Sequence, residues 1–177
     1  RLTSLGQTVQ GRELWMMKIT DNPALSEDEP AARFIAAMHG DEVVGKEILV
    51  GLIHYLLDNY GSVPRVTSLV NNTEIWILPS MNPDGTELGQ RYNAHNVDIN
   101  RNFPSRNFTS APTLVTGPHP GSEVETQYLM KILNEQRPAR VIHVRCSTSE
   151  APLVLVNDLW RSAPDALPQD IPSSRFW

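Results

Sequence analysis

Hydrophobic and polar positions along the chain change period several times, and each change marks an element. Glu13-Leu14-Trp15-Met16-Met17-Lys18-Ile19 is a nearly continuous apolar run with polar ends, the pattern of a short strand buried on both faces except at its ends. Arg33 to Met38 reads as a second strand. From Gly45 the period lengthens. Leu49, Leu52, Ile53, Leu56, Leu57 and Tyr60 recur at helical spacing and predict an amphipathic helix that ends at Gly61. Glu74 to Pro79 is a third strand stopped by proline. Ser122-Glu123-Val124-Glu125 has the form of a capping box opening a helix through about Gln136. Arg140 to Val144 and Leu153 to Val156 complete the strands.

Between these runs Thr3 to Gln10 is polar and turn-like, and Asp21 to Pro30 is a connection rich in Pro, Asp and Glu. Val66 to Asn72 reads as a turn or short connection, and Asn82-Pro83-Asp84-Gly85 as a tight turn. Residues 86–121 carry little periodicity, and a loop of that length in a compact domain is usually functional. The tail from Trp160 holds no convincing element. Strands alternating with helices predict an α/β domain with a mixed, mostly parallel sheet covered by helices on both faces.

Two places in this frame carry candidate chemistry. The second strand runs into Met38-His39-Gly40-Asp41-Glu42, which puts an imidazole and a carboxylate on one turn at a strand's carboxyl end. Nitrogen and oxygen donors so close together suit zinc, whose catalytic sites take three protein ligands and leave one position open. The plainer alternative is a strand-end histidine bonded to backbone and a helix N-terminal carboxylate. In the long loop, Arg91 and the run Asp98-Ile99-Asn100-Arg101-Asn102-Phe103-Pro104 concentrate guanidinium and amide donors. Such donors fork onto a carboxylate, so a substrate with a free carboxylate near its scissile bond would suit them. The alternative is that Asn100 and Arg101 shape the loop while Arg91 pairs with Asp84 or Glu87. His54 reads as packed or surface, His95 as loop surface, and His119, between two prolines, as structural or exposed.

Composition narrows the function classes. The 177 residues suffice for one domain, with 40% hydrophobic and 20% charged positions and no repeat or low-complexity tract. A net charge of -5, spread along the chain, gives no reason to expect nucleic acid or an anionic membrane as partner. The single cysteine, Cys146, excludes an internal disulfide framework. No apolar run reaches transmembrane length; the stretch from Ile48 to Leu57 is broken by Gly51 and His54. A chain that opens at Arg1 without an initiator Met or signal peptide reads as processed or truncated, and a monomer is expected.

Four motifs in one order, Gly11-Arg12-Glu13-Leu14-Trp15, Met38-His39-Gly40-Asp41-Glu42-Val43-Val44-Gly45, Leu78-Pro79-Ser80-Met81-Asn82-Pro83-Asp84-Gly85 and Asp98-Ile99-Asn100-Arg101-Asn102-Phe103-Pro104, together resemble the zinc metallocarboxypeptidases of the carboxypeptidase A/B superfamily. Within it they are most similar to the N/E, or regulatory, subfamily. The resemblance runs from near residue 5 to about residue 144 and covers the front part of a catalytic domain. It implies one zinc ion with His39 and Glu42 as the first two ligands, Arg91 polarising the scissile carbonyl, and Asn100 with Arg101 clasping a C-terminal carboxylate. It further implies a peptide or protein substrate with a free C-terminus and a place outside the cell or in the secretory pathway.

The pattern departs from the family at one point. Where the resemblance calls for a third zinc ligand in a Leu-His-Gly-Gly stretch, the sequence reads Val144-Arg145-Cys146-Ser147-Thr148-Ser149-Glu150. Counting from either side lands on Ser147 or Glu150, not on a histidine; His143 reads as an ordinary strand residue. The family's general-base glutamate and clasping tyrosine have no counterpart here, and the acidic specificity residue would fall near Arg161, with Asp158 close by. Residues 145–177 are therefore expected to be a divergent or aberrant tail on an incomplete, single peptidase-like domain spanning 1–177. The functional expectation is a zinc carboxypeptidase whose chain is impaired, or else a non-catalytic module that binds peptide C-termini.

Overall fold

A computed structural model describes residues 1–104, 115–135, 140–145 and 153–157. Among these residues six strands form one sheet: β1 (Leu2–Gln7), β2 (Glu13–Ile19), β3 (Ala31–Ala36), β4 (Glu74–Leu78), β5 (Arg140–Arg145) and β6 (Leu153–Asn157), in the order β1-β2-β4-β3-β5-β6. Parallel pairing is confined to the centre, β4 with β3 and β3 with β5, while β1 on β2, β2 on β4 and β5 on β6 are antiparallel. The sheet is thus mixed, as predicted, but not mostly parallel: three of the five pairings among the described residues are antiparallel, because only the connections that carry helices return the chain in parallel.

The two crossovers carry the helices. Between β3 and β4 lie α1 (Val43–Asn59) and α2 (Pro64–Val70); between β4 and β5 lie α3 (Pro83–Leu88), a 3₁₀ turn (Ile99–Arg101) and α4 (Val124–Glu135). Strand side chains alternate between two cores. Ile19, Ala36, Ile75, Ile77 and Val144 pack with Leu49 and Leu56 of α1 and with Val66 and Val70 of α2. Met16, Ile35, Leu78 and Val141 pack with Leu129 and Ile132 of α4 and with Ile99 of the 3₁₀ turn. Both faces are therefore covered, by α1 and α2 on one and by α4 on the other.

Several expectations need correction. Leu2–Gln7 is a strand, not a turn; it sits at the sheet's edge with one partner, so its polar residues face solvent. Residues 64–70 form a helix, with Pro64 in its first turn, where a missing N–H costs nothing. Asn82-Pro83-Asp84-Gly85 opens α3: Asn82 is its N-cap, and its side chain accepts from the Gly85 N–H at 2.9 Å. Trp15 in β2 is 48% exposed, and Leu57 and Tyr60 at the end of the α1 stripe are 53% and 46% exposed. The Ser122 hydroxyl donates to Glu123 and accepts from Asn102.

Candidate active site

The carboxyl end of β3 turns sharply. Ala37 takes φ 48°, a region L residues avoid, and the backbone carbonyls of Ala36 and Ala37 accept from the amides of Met81 and Asn82 just beyond β4. The chain then presents His39 at 0% exposure and Glu42 at 8%, immediately before α1. Glu42 occupies the N-cap position but makes no side-chain cap bond. Its Oε1 lies instead 2.8 Å from His39 Nδ1.

The opposite ring nitrogen faces Asp98. His39 Nε2 is 3.1 Å from Asp98 Oδ1 across 59 residues of sequence, and Asp98 is 4% exposed. Asp98 Oδ2 accepts from Arg91, whose Nε and terminal nitrogen both lie at 2.9 Å. Asp98 Oδ1 also accepts the Asn100 N–H at 3.0 Å, and the Asp98 carbonyl accepts the Arg101 N–H at 2.8 Å, so the same residue caps the 3₁₀ turn. Asp98 thus ties together four of the five residues that the sequence singled out, His39, Arg91 and Asn100 through its carboxylate and Arg101 through its backbone carbonyl. Arg91 pairs with Asp98, not with Asp84 or Glu87.

Electrostatics follow from this geometry. Burial opposes the charge on His39, but its bonds to Asp98 and Glu42 outweigh burial and raise the imidazole pKa. Burial likewise works against the Asp98 anion, and His39 and Arg91 outweigh it and hold the carboxyl below its ordinary range. With Asp98 accepting from Nε2, the Nδ1 lone pair and the Glu42 carboxylate are two acceptors face to face. A proton or a metal cation satisfies both. A buried imidazole oriented by a carboxylate, beside a second carboxylate, is the donor set of a zinc site, so these residues fit such an ion. Both positions at which the sequence count places a third ligand, Ser147 and Glu150, lie outside the described residues. His143 lies within β5, level with Ile35 of β3.

A second ring of contacts fixes the first. Gly40 packs so closely on the Gly85 backbone that a Cβ on Gly40 would collide with it, and the Gly40 N–H points at the Arg91 carbonyl at 3.4 Å. Asp84, 0% exposed, accepts from the Thr8 hydroxyl, the Gln10 N–H and Arg12 at 2.8, 3.2 and 2.8 Å, which clamps the β1–β2 turn onto α3. Asn102, also 0% exposed, donates to the carbonyls of Thr116 and His119 and accepts from the Glu123 N–H, holding the loop to the start of α4. His95 is exposed, as read, and its ring also bonds Glu123 at 2.8 Å. His54 and His119 are exposed, as read.

Asp98 is what sequence reading missed. It was visible only as part of a donor-rich run, although the only carboxylate in a cluster of guanidinium and amide groups is the anion around which they must gather. A separate cleft of about 780 Å³ lies along Met16, Lys18, Trp76 and Lys131 and shares no residue with this cluster.

An α/β sheet with a histidine–glutamate turn and an arginine–carboxylate cluster at the ends of its parallel strands is the architecture of a metallopeptidase. The zinc carboxypeptidase family model matches residues 1–155, and the chain belongs to that family. Human carboxypeptidase D is 51% identical over 116 residues, 60% of this chain and 8% of that protein, and mouse carboxypeptidase M is 42% identical over 125 residues, 63% and 28% of the two. The chain thus spans a small part of the relatives it matches. Carboxypeptidase A from Helicoverpa armigera shares the fold with a TM-score of 0.72 at 24% identity, over 84% of this chain and 41% of that one. No helix among the described residues is long and apolar enough to cross a membrane.

Proposed function

We propose that this chain is the front part of a catalytic domain that removes the C-terminal residue of peptides or proteins by zinc-assisted hydrolysis, outside the cell or in the secretory pathway. The observation that carries this reading is the single carboxylate of Asp98, which bonds His39, Arg91 and the N–H of Asn100 and so links the residues that this reading places in the site. His39 and Glu42 would hold the ion. The chemistry that zinc supplies when bound there is Lewis acidity toward a carbonyl oxygen and acidification of water. The Arg91 guanidinium, 35% exposed and steadied by Asp98, stabilises negative charge developing on the scissile carbonyl oxygen. Asn100 and Arg101 grip the substrate's terminal carboxylate, which limits cleavage to the last residue.

The stretch from Val144 to Glu150 offers no histidine, and this favours a second reading for the 177-residue polypeptide by itself: a module that binds peptide C-termini with weak metal binding and negligible turnover. Binding of one peptide in free-acid and amidated forms separates the parts. The free acid is expected to bind better, and Arg101→Ala to abolish the difference; equal binding of both forms by the parent chain overturns the carboxylate grip. A hydrolysis rate like that of an ordinary metalloprotease from this polypeptide would overturn the impairment and leave the catalytic reading standing.

A further inference from the structure

We propose that Asn71 is an N-linked glycan acceptor, modified when the chain is exported through a eukaryotic secretory pathway. Asn71-Asn72-Thr73 has the acceptor pattern, with no proline at the middle position. The triplet lies in the turn between α2 and β4, where Asn71 and Asn72 are exposed and Thr73 is half-buried. Asn71 closes α2 in ordinary right-handed backbone, φ −78° and ψ −8°, with its N–H bonded to Thr67 at 2.9 Å. Its side-chain oxygen accepts from the Tyr60 hydroxyl at 2.9 Å. Its Nδ2, the atom that would carry the sugar, has no hydrogen-bond partner among the described residues, and neither has the Thr73 hydroxyl. Attachment at Nδ2 therefore breaks no contact and leaves the Tyr60 bond in place.

The donor is an oligosaccharide on a lipid pyrophosphate. Asn71 Nδ2 bonds to the anomeric carbon of the first sugar, the bond from that carbon to the pyrophosphate breaks with its electron pair, and the displaced amide proton passes to a base of the transferase. Placement on the fold permits the product. Asn71 precedes β4, whereas His39 follows the parallel neighbour β3, so the two lie at opposite ends of the central strands. Five residues of strand separate those ends by about 16 Å. A bulky, hydrated glycan would thus coat the sheet's far end and leave the carboxylate cluster open.

The chain carrying a cleavable export signal would be expressed in cultured human cells, treated with peptide-N-glycosidase in heavy-oxygen water and mapped by peptide mass spectrometry. Transfer occurs in the lumen before secretion, so secreted and retained material are read alike. The expected result is conversion of Asn71 to labelled aspartate, lost in Thr73→Val. Recovery of the Asn71 peptide only in unlabelled form, or labelling that survives Thr73→Val, overturns the assignment.

Discussion

Gly40 and Gly85 meet backbone to backbone: the turn after β3 lies on the first turn of α3 with no room for a methyl group between them. This contact joins the turn bearing His39 to the helix that leads to Arg91. Gly40→Ala is expected to destabilise the fold by about 1–3 kcal/mol, the cost of overpacking a tight contact, because the obstacle is backbone and not a flexible side chain. Denaturant midpoints of parent and variant check this; an unchanged midpoint would mean the two turns separate freely.

Asp98 orients His39 without needing to touch a metal. Asp98→Ala should therefore weaken zinc binding by about 10–100-fold, the usual effect of removing the carboxylate behind a ligating histidine. Competition against a chromophoric chelator measures it, with His39→Ala as the reference for a lost ligand. Unchanged affinity in Asp98→Ala would show that packing alone sets the imidazole.

Asp84 gathers three donors in a fully buried position. Asp84→Ala strands the Thr8 hydroxyl and the Gln10 N–H, while the Arg12 side chain, 36% exposed, regains water. The expected loss is about 2–3 kcal/mol, below the sum of three separate charged bonds because the arginine's share is screened. Faster amide exchange in β1 than in β4 should accompany it, since Asp84 is the clamp on the β1–β2 turn.

Two buried glutamates near the start of α4 should give stability opposite pH dependences. Burial opposes the Glu123 charge, but bonds from Ser122, Asn93 and His95 outweigh it and lower its pKa from 4.5; its contribution is present above that value and lost as pH falls through the lower folded one. Burial raises the pKa of Glu125 from 4.5, so its contribution is present below that value and lost as pH rises through the higher folded one. Glu123→Gln should flatten the acid limb of a stability profile, and Glu125→Gln the limb on the neutral side. Parallel profiles for parent and variants would contradict both assignments.

The strands buried between neighbours were legible because a continuous apolar run has few other uses. β2, β3, β4 and α1 follow from such runs and from the 3.6-residue stripe. β1 was not legible, since an edge strand with one partner can keep Thr3, Ser4 and Gln7 facing water. α2 and α3 were missed because seven and six residues give too little periodicity, although Pro64 and Asn82-Pro83 are start signals that could have found them. The candidate site was legible as chemistry but not as wiring. His39, Glu42, Arg91, Asn100 and Arg101 stood out by type and motif, whereas their common link, Asp98, depends on a contact 59 residues long that no local pattern encodes.

Trp76 sits on β4 with Lys18 of β2 and Arg33 of β3 as its direct cross-strand partners, their cations 5.3 and 4.9 Å from its ring centre. Arg33 is fully buried, and burial lowers its guanidinium pKa to about 10, so the guanidinium remains cationic at neutral pH. An indole held between two fixed positive charges emits at a wavelength set by their positions, and sliding either neighbour by one residue would exchange a cation for an apolar side chain. The protein thus carries its own optical gauge of strand alignment: the colour of Trp76 fluorescence reports whether the three strands β2, β4 and β3 are in register.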